Sequence, residues 1–319
     1  MHISYCSASG SDSQAWIAGL QAAFPEARVN GWLPGDPPAD YAVVWSPPQL
    51  FFDQQTALKG IFNTGAGVDA LLALNLPPNV PIVRLDDAGM AVQMAEFVTH
   101  AVIRYFRQLD TYQSQAKAGV WQELAPRQRS DYPVGVMGLG VLGQRVCATL
   151  RAFDFVVQGW SRSAQSHAAM EALGVRSYSG AAQLPAFLAS SRLLVCLLPL
   201  TPETQGLLRR DTLLQLQPGG YLIQVARGPI VVEADLLALL DSGHITGATL
   251  DVFCQEDEVK KQPGNHPLWS HPAVTATPHI SAQTLVHISI AQIAAKIRAL
   301  QNGAAAPELA GYVQREQGY

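Results

Sequence analysis

The strongest constraint on this chain lies between residues 133 and 150. Pro133-Val134-Gly135-Val136-Met137 is a short apolar run of strand type, and it leads straight into Gly138-Leu139-Gly140-Val141-Leu142-Gly143. Beyond the glycines, Leu142, Val146 and Leu150 recur every four residues, the spacing of one helix face. A GxGxxG alone is weak, because glycines cluster in many turns; a strand before it and a helix after it give it weight. In that setting Gly138 permits the tight turn, Gly140 lets a pyrophosphate approach the backbone, and Gly143 lets helix and strand pack closely. The helix N-terminus then faces the phosphates, and Val141 and Leu142 complete the cofactor-binding loop.

Cofactor choice is read at the end of the next strand, where an Asp or Glu would bond the ribose 2′-hydroxyl of NAD. That place holds Trp160-Ser161-Arg162-Ser163, a guanidinium between two hydroxyls with no carboxylate. A 2′-phosphate needs such donors, and arginine offers them in bidentate geometry. Ser161, Arg162 and Ser163 therefore predict NADPH, with NADH less favoured.

The rest of the chain has the organisation such a loop requires. Strand-like runs fall at 2–7, 27–32, 41–45, 60–63 and 82–85, then at 133–137, 155–160, 176–178, 193–198, 221–225, 248–252 and 274–277. Helix-like stretches separate most of them, among them 141–153, 182–189, 203–216 and 232–241. One long helix starts near Met90 and another occupies 283–300. Alternation of this kind predicts parallel sheets covered by helices. At roughly 150 residues per domain, 319 residues suffice for two α/β domains. The polar stretch 110–132 reads as a connector or arm near one boundary.

Composition removes several classes of function. With 48% hydrophobic and 14% charged residues the chain is neither disordered nor fibrous. A net charge of −4 without a Lys/Arg run predicts no nucleic-acid partner. The four cysteines are far apart with no CxxC pair, which predicts buried thiols in a reducing compartment rather than disulfides. The longest strongly apolar run, 193–200, is too short to cross a bilayer, and the first residues lack the pattern of a secretion signal. A soluble cytoplasmic protein is expected. No His/Cys/Asp spacing suggests a metal.

Three polar residues follow strands of the second series, where ligands of open α/β sheets bind. Arg227 closes one strand, Glu256 lies just past Asp251-Val252-Phe253, and His279 closes the last. Singly, each suits an ion pair, a surface carboxylate or a loop cap. Together they suit reduction of a 2-keto acid: Arg227 forks onto the carboxylate and polarises the ketone, and imidazolium His279 protonates the oxygen as hydride arrives. Glu256 would keep the imidazole oriented and charged. Trp45 as a pocket wall and Arg84 as a second cation are further substrate-binding candidates, each equally readable as a packing or paired residue. Trp121, in the connector, is a candidate for contact with a partner subunit.

Beyond these residues, a longer pattern resembles a known family. Gln217-Pro218-Gly219-Gly220, Ala226-Arg227-Gly228, Glu233, Leu236-Leu237-Ala238-Leu239-Leu240, Gly243, Gly247-Ala248 and Leu250-Asp251-Val252-Phe253 together look like the signature of the D-isomer-specific 2-hydroxyacid dehydrogenases. Leu198-Pro199-Leu200-Thr201-Pro202-Glu203-Thr204 is similar to another of its signatures, and Gly65-Ala66-Gly67-Val68-Asp69 resembles its substrate-carboxylate loop.

The resemblance implies two doubly wound parallel-sheet domains: a flavodoxin-like substrate domain (1–98 plus 284–319) and an inserted Rossmann NAD(P)-binding domain (99–283). It further implies an active site in the cleft between them and a homodimer. By position it implies that Arg227 binds substrate, His279 is the acid/base and Glu256 its partner, and that the amides of Ala66 and Gly67 hold the carboxylate. Asp251 would hold the nicotinamide carboxamide, with Leu198, Pro199, Thr204 and Ala226 lining the cofactor groove. The implied substrates are small 2-keto acids, glyoxylate and hydroxypyruvate first.

Two departures from the family pattern stand out. Glu256-Asp257-Glu258-Val259-Lys260-Lys261 lacks the usual proline and begins a longer stretch before His266, which leaves Glu256 and Glu258 both open as the histidine's partner. Gln224-Val225 stands where an Asn usually precedes the Ala-Arg-Gly, and reads as a tolerated change. Reduction of another keto acid with NADH, or dinucleotide sensing without catalysis, are the competing readings.

Overall fold

The computed structural model describes residues 1–8, 12–164, 167–255 and 263–319. The chain divides into two compact units, Met1–Met90 with Thr284–Tyr319, and Ala91–Gln283.

The first unit contains a five-stranded sheet of β1 (His2–Ser7), β2 (Arg28–Gly31), β3 (Tyr41–Trp45), β4 (Gly60–Asn63) and β5 (Ile82–Arg84). Their order is β2-β1-β3-β4-β5 and every pairing is parallel, the doubly wound order of flavodoxin-like sheets. The helices Ser13–Ala23 and Val286–Gln301 pack so closely that a Cβ on Gly19 would lie 2.4 Å from Ile290 Cδ1. Phe51, Phe52 and Leu71 form a core with Val44, Ile61 and Ile82. The returning chain end lies against β5, where the Arg84 amide donates to Gly311 and that of Val313 to Ile82.

The second unit contains a seven-stranded parallel sheet: β6 (Val134–Met137), β7 (Val157–Ser161), β8 (Arg176–Ser179), β9 (Leu193–Cys196), β10 (Gly220–Gln224), β11 (Ile245–Leu250) and β12 (Val274–Ala276). The order is β12-β11-β10-β9-β6-β7-β8, a Rossmann arrangement whose direction reverses between β6 and β9. β6, β9 and β10 are buried at every residue, as strands covered on both faces must be, which is why they read as apolar runs. The helix Met90–Phe106 belongs to this core: its Met94, Val98, Val102 and Phe106 join Val134, Val146 and Leu150.

One sequence expectation needs correction. The stretch 203–216 is not one helix, since only Arg210–Leu213 is helical there. Thr204 Oγ1 donates to the Pro199 carbonyl (2.7 Å) and accepts the Thr201 amide (2.8 Å), and Gly206 has φ +63°, so local turn bonds displace a helix. The polar stretch 110–132 begins helically, as Leu109–Lys117, before an extended segment that leaves Trp121 fully exposed. Among the described residues no helix is long and apolar enough to cross a membrane.

Candidate active site

In an open α/β sheet the carboxyl ends of the strands at the reversal point form the ligand crevice. β6 and β9 end there, and the glycine loop fills the turn after β6. Gly138 has φ +97°, and a Cβ on it would sit 2.9 Å from the Leu197 carbonyl oxygen beyond β9. A Cβ on Gly143 would lie 1.8 Å from the Gly138 carbonyl, so the helix Val141–Ala152 crosses its strand at a distance only glycine allows. Around Gly140 nothing among the described residues lies within 4 Å of the Cβ position. Two glycines are thus required by the protein's own packing and one leaves open space, the division a bound pyrophosphate needs. The residues present fit a dinucleotide.

Leu198 is buried and continues from β9 into Pro199, whose carbonyl is held by Thr204. Across the reversal, β7 ends at Ser161, whose hydroxyl donates to the Ser163 carbonyl (2.6 Å) and closes a turn with Arg162 exposed. Glu203 titrates below the usual carboxylate range, chiefly through the Thr201 hydroxyl and its own backbone amide, with a smaller contribution from Arg162.

β10, β11 and β12 are neighbours, and they deliver the polar residues to one edge of the sheet. After β10, Gln224 is buried and both ends of its amide are engaged: Oε1 accepts the Ala226 amide (3.2 Å) and Nε2 donates to the Arg227 carbonyl (3.0 Å). Read from sequence as a tolerated change, Gln224 in fact shapes the turn that carries Ala226 and Arg227. The Arg227 Nη1 donates to the Ala226 carbonyl (2.8 Å).

Asp251, 1% exposed, follows β11. Its Oδ1 accepts from Thr277 Oγ1 (2.5 Å) and the Ile280 amide (2.8 Å), and its Oδ2 from the Ser281 amide (2.8 Å). These bonds wrap the segment beyond β12 around one carboxylate, with half-buried His279 at φ +59° in its middle. A non-glycine residue held there stores about 1–2 kcal/mol of strain, which the Asp251 bonds offset. Sequence reasoning gave Asp251 only a cofactor role; an acid at the end of the strand next to the histidine's is the signal that points to this one. Glu256 and Glu258 lie outside the described residues. Among the described residues no group of His, Cys, Asp and Glu is arranged to hold a metal ion.

The first unit has its own polar loop, after β4. Asn63 Nδ2 donates to the Gly65 and Gly67 carbonyls (both 2.9 Å), turning these oxygens inward. Among the described residues no acceptor takes the amides of Ala66 or Gly67, which leaves two donors for an anion. Trp45, at the end of β3, lies over this loop: a Cβ on Gly65 would be 2.2 Å from its Cζ3. Arg84 is further back. Its Nη1 donates to the Leu85 carbonyl (3.2 Å), its Nε is buried without a partner among the described residues, and burial lowers its pKa while Asp86 opposes that. The nearby ammonium of Lys296 donates to the Arg84 carbonyl (2.8 Å) and Asp86 (2.7 Å).

Residues 99–281 match the family model described as D-isomer specific 2-hydroxyacid dehydrogenase, NAD binding domain. The chain is 43% identical over 315 residues to a glyoxylate/hydroxypyruvate reductase A of Yersinia enterocolitica, covering 97% of each. Among solved structures it is similar to a D-isomer specific 2-hydroxyacid dehydrogenase of Xanthobacter autotrophicus in complex with NADPH and MES. That match has a TM-score of 0.89 and 39% identity, over 100% of this chain and 99% of the other. An NADPH-dependent glyoxylate/hydroxypyruvate reductase of Sinorhizobium meliloti, in complex with NADP and sulfate, also gives a TM-score of 0.89, at 33% identity and the same coverage.

Proposed function

The chain belongs to the D-isomer specific 2-hydroxyacid dehydrogenases, and we propose that it is an NADPH-dependent reductase of small 2-keto acids, glyoxylate and hydroxypyruvate foremost. The observation that carries the reading is the common placement of Arg227, Asp251 and His279 at the ends of three neighbouring strands, in the unit whose glycine loop leaves Gly140 open. The two relatives bound to NADPH or NADP, and the curated reductase, support the cofactor and the substrate class.

When bound, NADPH supplies the hydride. Gly138, Gly140, Val141, Leu142 and Gly143 hold its pyrophosphate, and Arg162, with Ser161 and Ser163, holds the 2′-phosphate. Leu198, Pro199, Thr204 and Ala226 line the groove. A carboxylate has about four acceptor positions, and three in Asp251 are used internally, which leaves one for the nicotinamide carboxamide. Arg227 engages the substrate carboxylate and draws electron density from the ketone. His279 in its imidazolium form gives its proton to the ketone oxygen, and Glu256 keeps that ring charged. From the first unit, the amides of Ala66 and Gly67 bind the same carboxylate, Trp45 limits substrate size, and Arg84 adds positive potential. Glycolate, the product from glyoxylate, is achiral; larger keto acids give D-2-hydroxy acids.

The protein acts as a cytoplasmic homodimer in this reading. The fully exposed Trp121 offers apolar surface for a subunit interface, and three of the four free thiols are buried. His279→Gln and Arg227→Ala test the chemistry. Both should lose turnover by about a hundredfold or more while NADPH affinity stays near wild type. Loss of NADPH affinity in parallel with turnover would contradict these roles.

A further inference from the structure

The motif that carries Arg227 runs on to Glu233, to which the reaction assigns no task. Glu233 opens the helix Glu233–Asp241, and both of its carboxylate oxygens are engaged outside that helix. Oε1 accepts the Cys254 backbone amide at 2.8 Å, and Oε2 faces His266 Nε2 at 3.4 Å. The His266 ring stands edge-on to Phe253 with centroids 5.2 Å apart, and Phe253 packs on Trp269 at 5.5 Å. An acid in a first helical turn is ordinarily explained by the helix dipole. Here the carboxylate reaches across to another segment, while Asp235 in the same turn accepts the Arg210 amide.

Phe253 and Cys254 press directly on the residue after Arg227. A Cβ on Gly228 would fall 2.0 Å from the Phe253 carbonyl carbon and 2.4 Å from the Cys254 nitrogen, so main chain rests on main chain there. On the other flank, Gln224 holds the Arg227 carbonyl. The Arg227–Gly228 peptide is thus gripped between Gln224 and the 253–254 backbone, and the latter is tied down by Glu233.

We propose that Glu233, backed by His266, is a positioning residue for Arg227: it holds the Phe253–Cys254 backbone against Gly228 and thereby sets the reach of the guanidinium. This rests on the proposed role of Arg227 in binding the keto-acid carboxylate. A shift of about 1 Å in a positioned group can cost a hundredfold in rate, so loss of the tie should register at the substrate rather than at the cofactor.

The full-length protein with Glu233→Ala, Glu233→Gln and His266→Ala provides the test, with glyoxylate as substrate and NADPH as cofactor. In Glu233→Ala, KM for glyoxylate should rise about tenfold or more, NADPH affinity should change less than about twofold, and the Cys254 amide should exchange with deuterium about tenfold faster. Glu233→Gln keeps an oxygen for the Cys254 amide and should recover most of both properties. His266→Ala should fall between them, and serves if Glu233→Ala does not fold. Wild-type kinetics in Glu233→Ala, equal losses for glyoxylate and NADPH, or a Gln variant as impaired as the Ala variant would each overturn the proposal. If the wild-type protein turns over no keto acid, the functional reading fails by itself. Exchange at Cys254 and across 226–232 then decides the tie: unchanged exchange in Glu233→Ala refutes it, and faster exchange at both upholds it.

Discussion

The carboxylate of Asp251 holds the backbone amide of Ser281 at 2.8 Å, and through this bond and its two companions it fixes the turn in which His279 sits at positive φ. Asparagine at 251 has one acceptor oxygen and cannot serve all three donors. Each buried bond left unmade costs about 1–3 kcal/mol. Asp251→Asn should therefore lower both the melting temperature and kcat, the latter by about tenfold to a hundredfold, checked by thermal unfolding and steady-state rates. An unaltered kcat would mean that the turn does not set the histidine.

Two of the loop glycines should separate by measurement. Gly143→Ala forces a Cβ to within 1.8 Å of a carbonyl oxygen, so it should destabilise the protein by about 1–3 kcal/mol or prevent folding. Gly140→Ala meets nothing within 4 Å among the described residues and should melt like wild type, yet bind NADPH about tenfold more weakly because the methyl occupies the pyrophosphate's approach. Denaturant titration and dinucleotide fluorescence titration check the pair. Wild-type affinity in Gly140→Ala would count against the loop as the phosphate site.

Arg162 is exposed on its turn, with the Ser161 hydroxyl committed to the Ser163 carbonyl. Charge-assisted bonds to a phosphate contribute about 1.5–3 kcal/mol each, so Arg162→Ala should weaken NADPH by about tenfold or more and leave NADH nearly unchanged. Equal losses for the two cofactors, measured as dissociation constants, would refute the assignment.

Much of this was legible in the sequence, for identifiable reasons. β6, β9 and β10 are buried on both faces and so are written as apolar runs, and Gly138 and Gly143 are dictated by contacts within 3 Å that a side chain would violate. What was not legible depends on side chains that bond back to the main chain. Thr204 on Pro199 and Thr201 breaks up a stretch that reads as helix, and Gln224 supports the Arg227 turn from a position that looked incidental. The threefold use of Asp251 joins residues that are 26 to 30 positions apart, a relation no local pattern encodes.

Alkaline stability follows from burial. The thiols of Cys147 and Cys196 are pushed up from 9.0 to about 12, and the Tyr221 hydroxyl from 10.0 to about 12, in each case chiefly by burial. Raised folded-state values mean that the folded chain keeps protons which the unfolded chain releases. That stabilisation is complete below the unfolded values and is lost as pH climbs from about 9 toward 12. Denaturant midpoints should therefore fall progressively above pH 9, and the fall should be shallower in Cys147→Ala/Cys196→Ala. A midpoint independent of pH in this range would contradict the burial of these groups.

The central claim is tested most directly by initial rates of NADPH and NADH oxidation with glyoxylate, hydroxypyruvate, pyruvate and phenylpyruvate. The account predicts rapid oxidation of NADPH with the first two acids, and a kcat/KM with NADPH about tenfold or more above that with NADH. Bulky phenylpyruvate should be a poor substrate behind Trp45. Tight binding of the dinucleotide without turnover of any of the four acids would contradict it, and would leave a protein that senses the cofactor without using it.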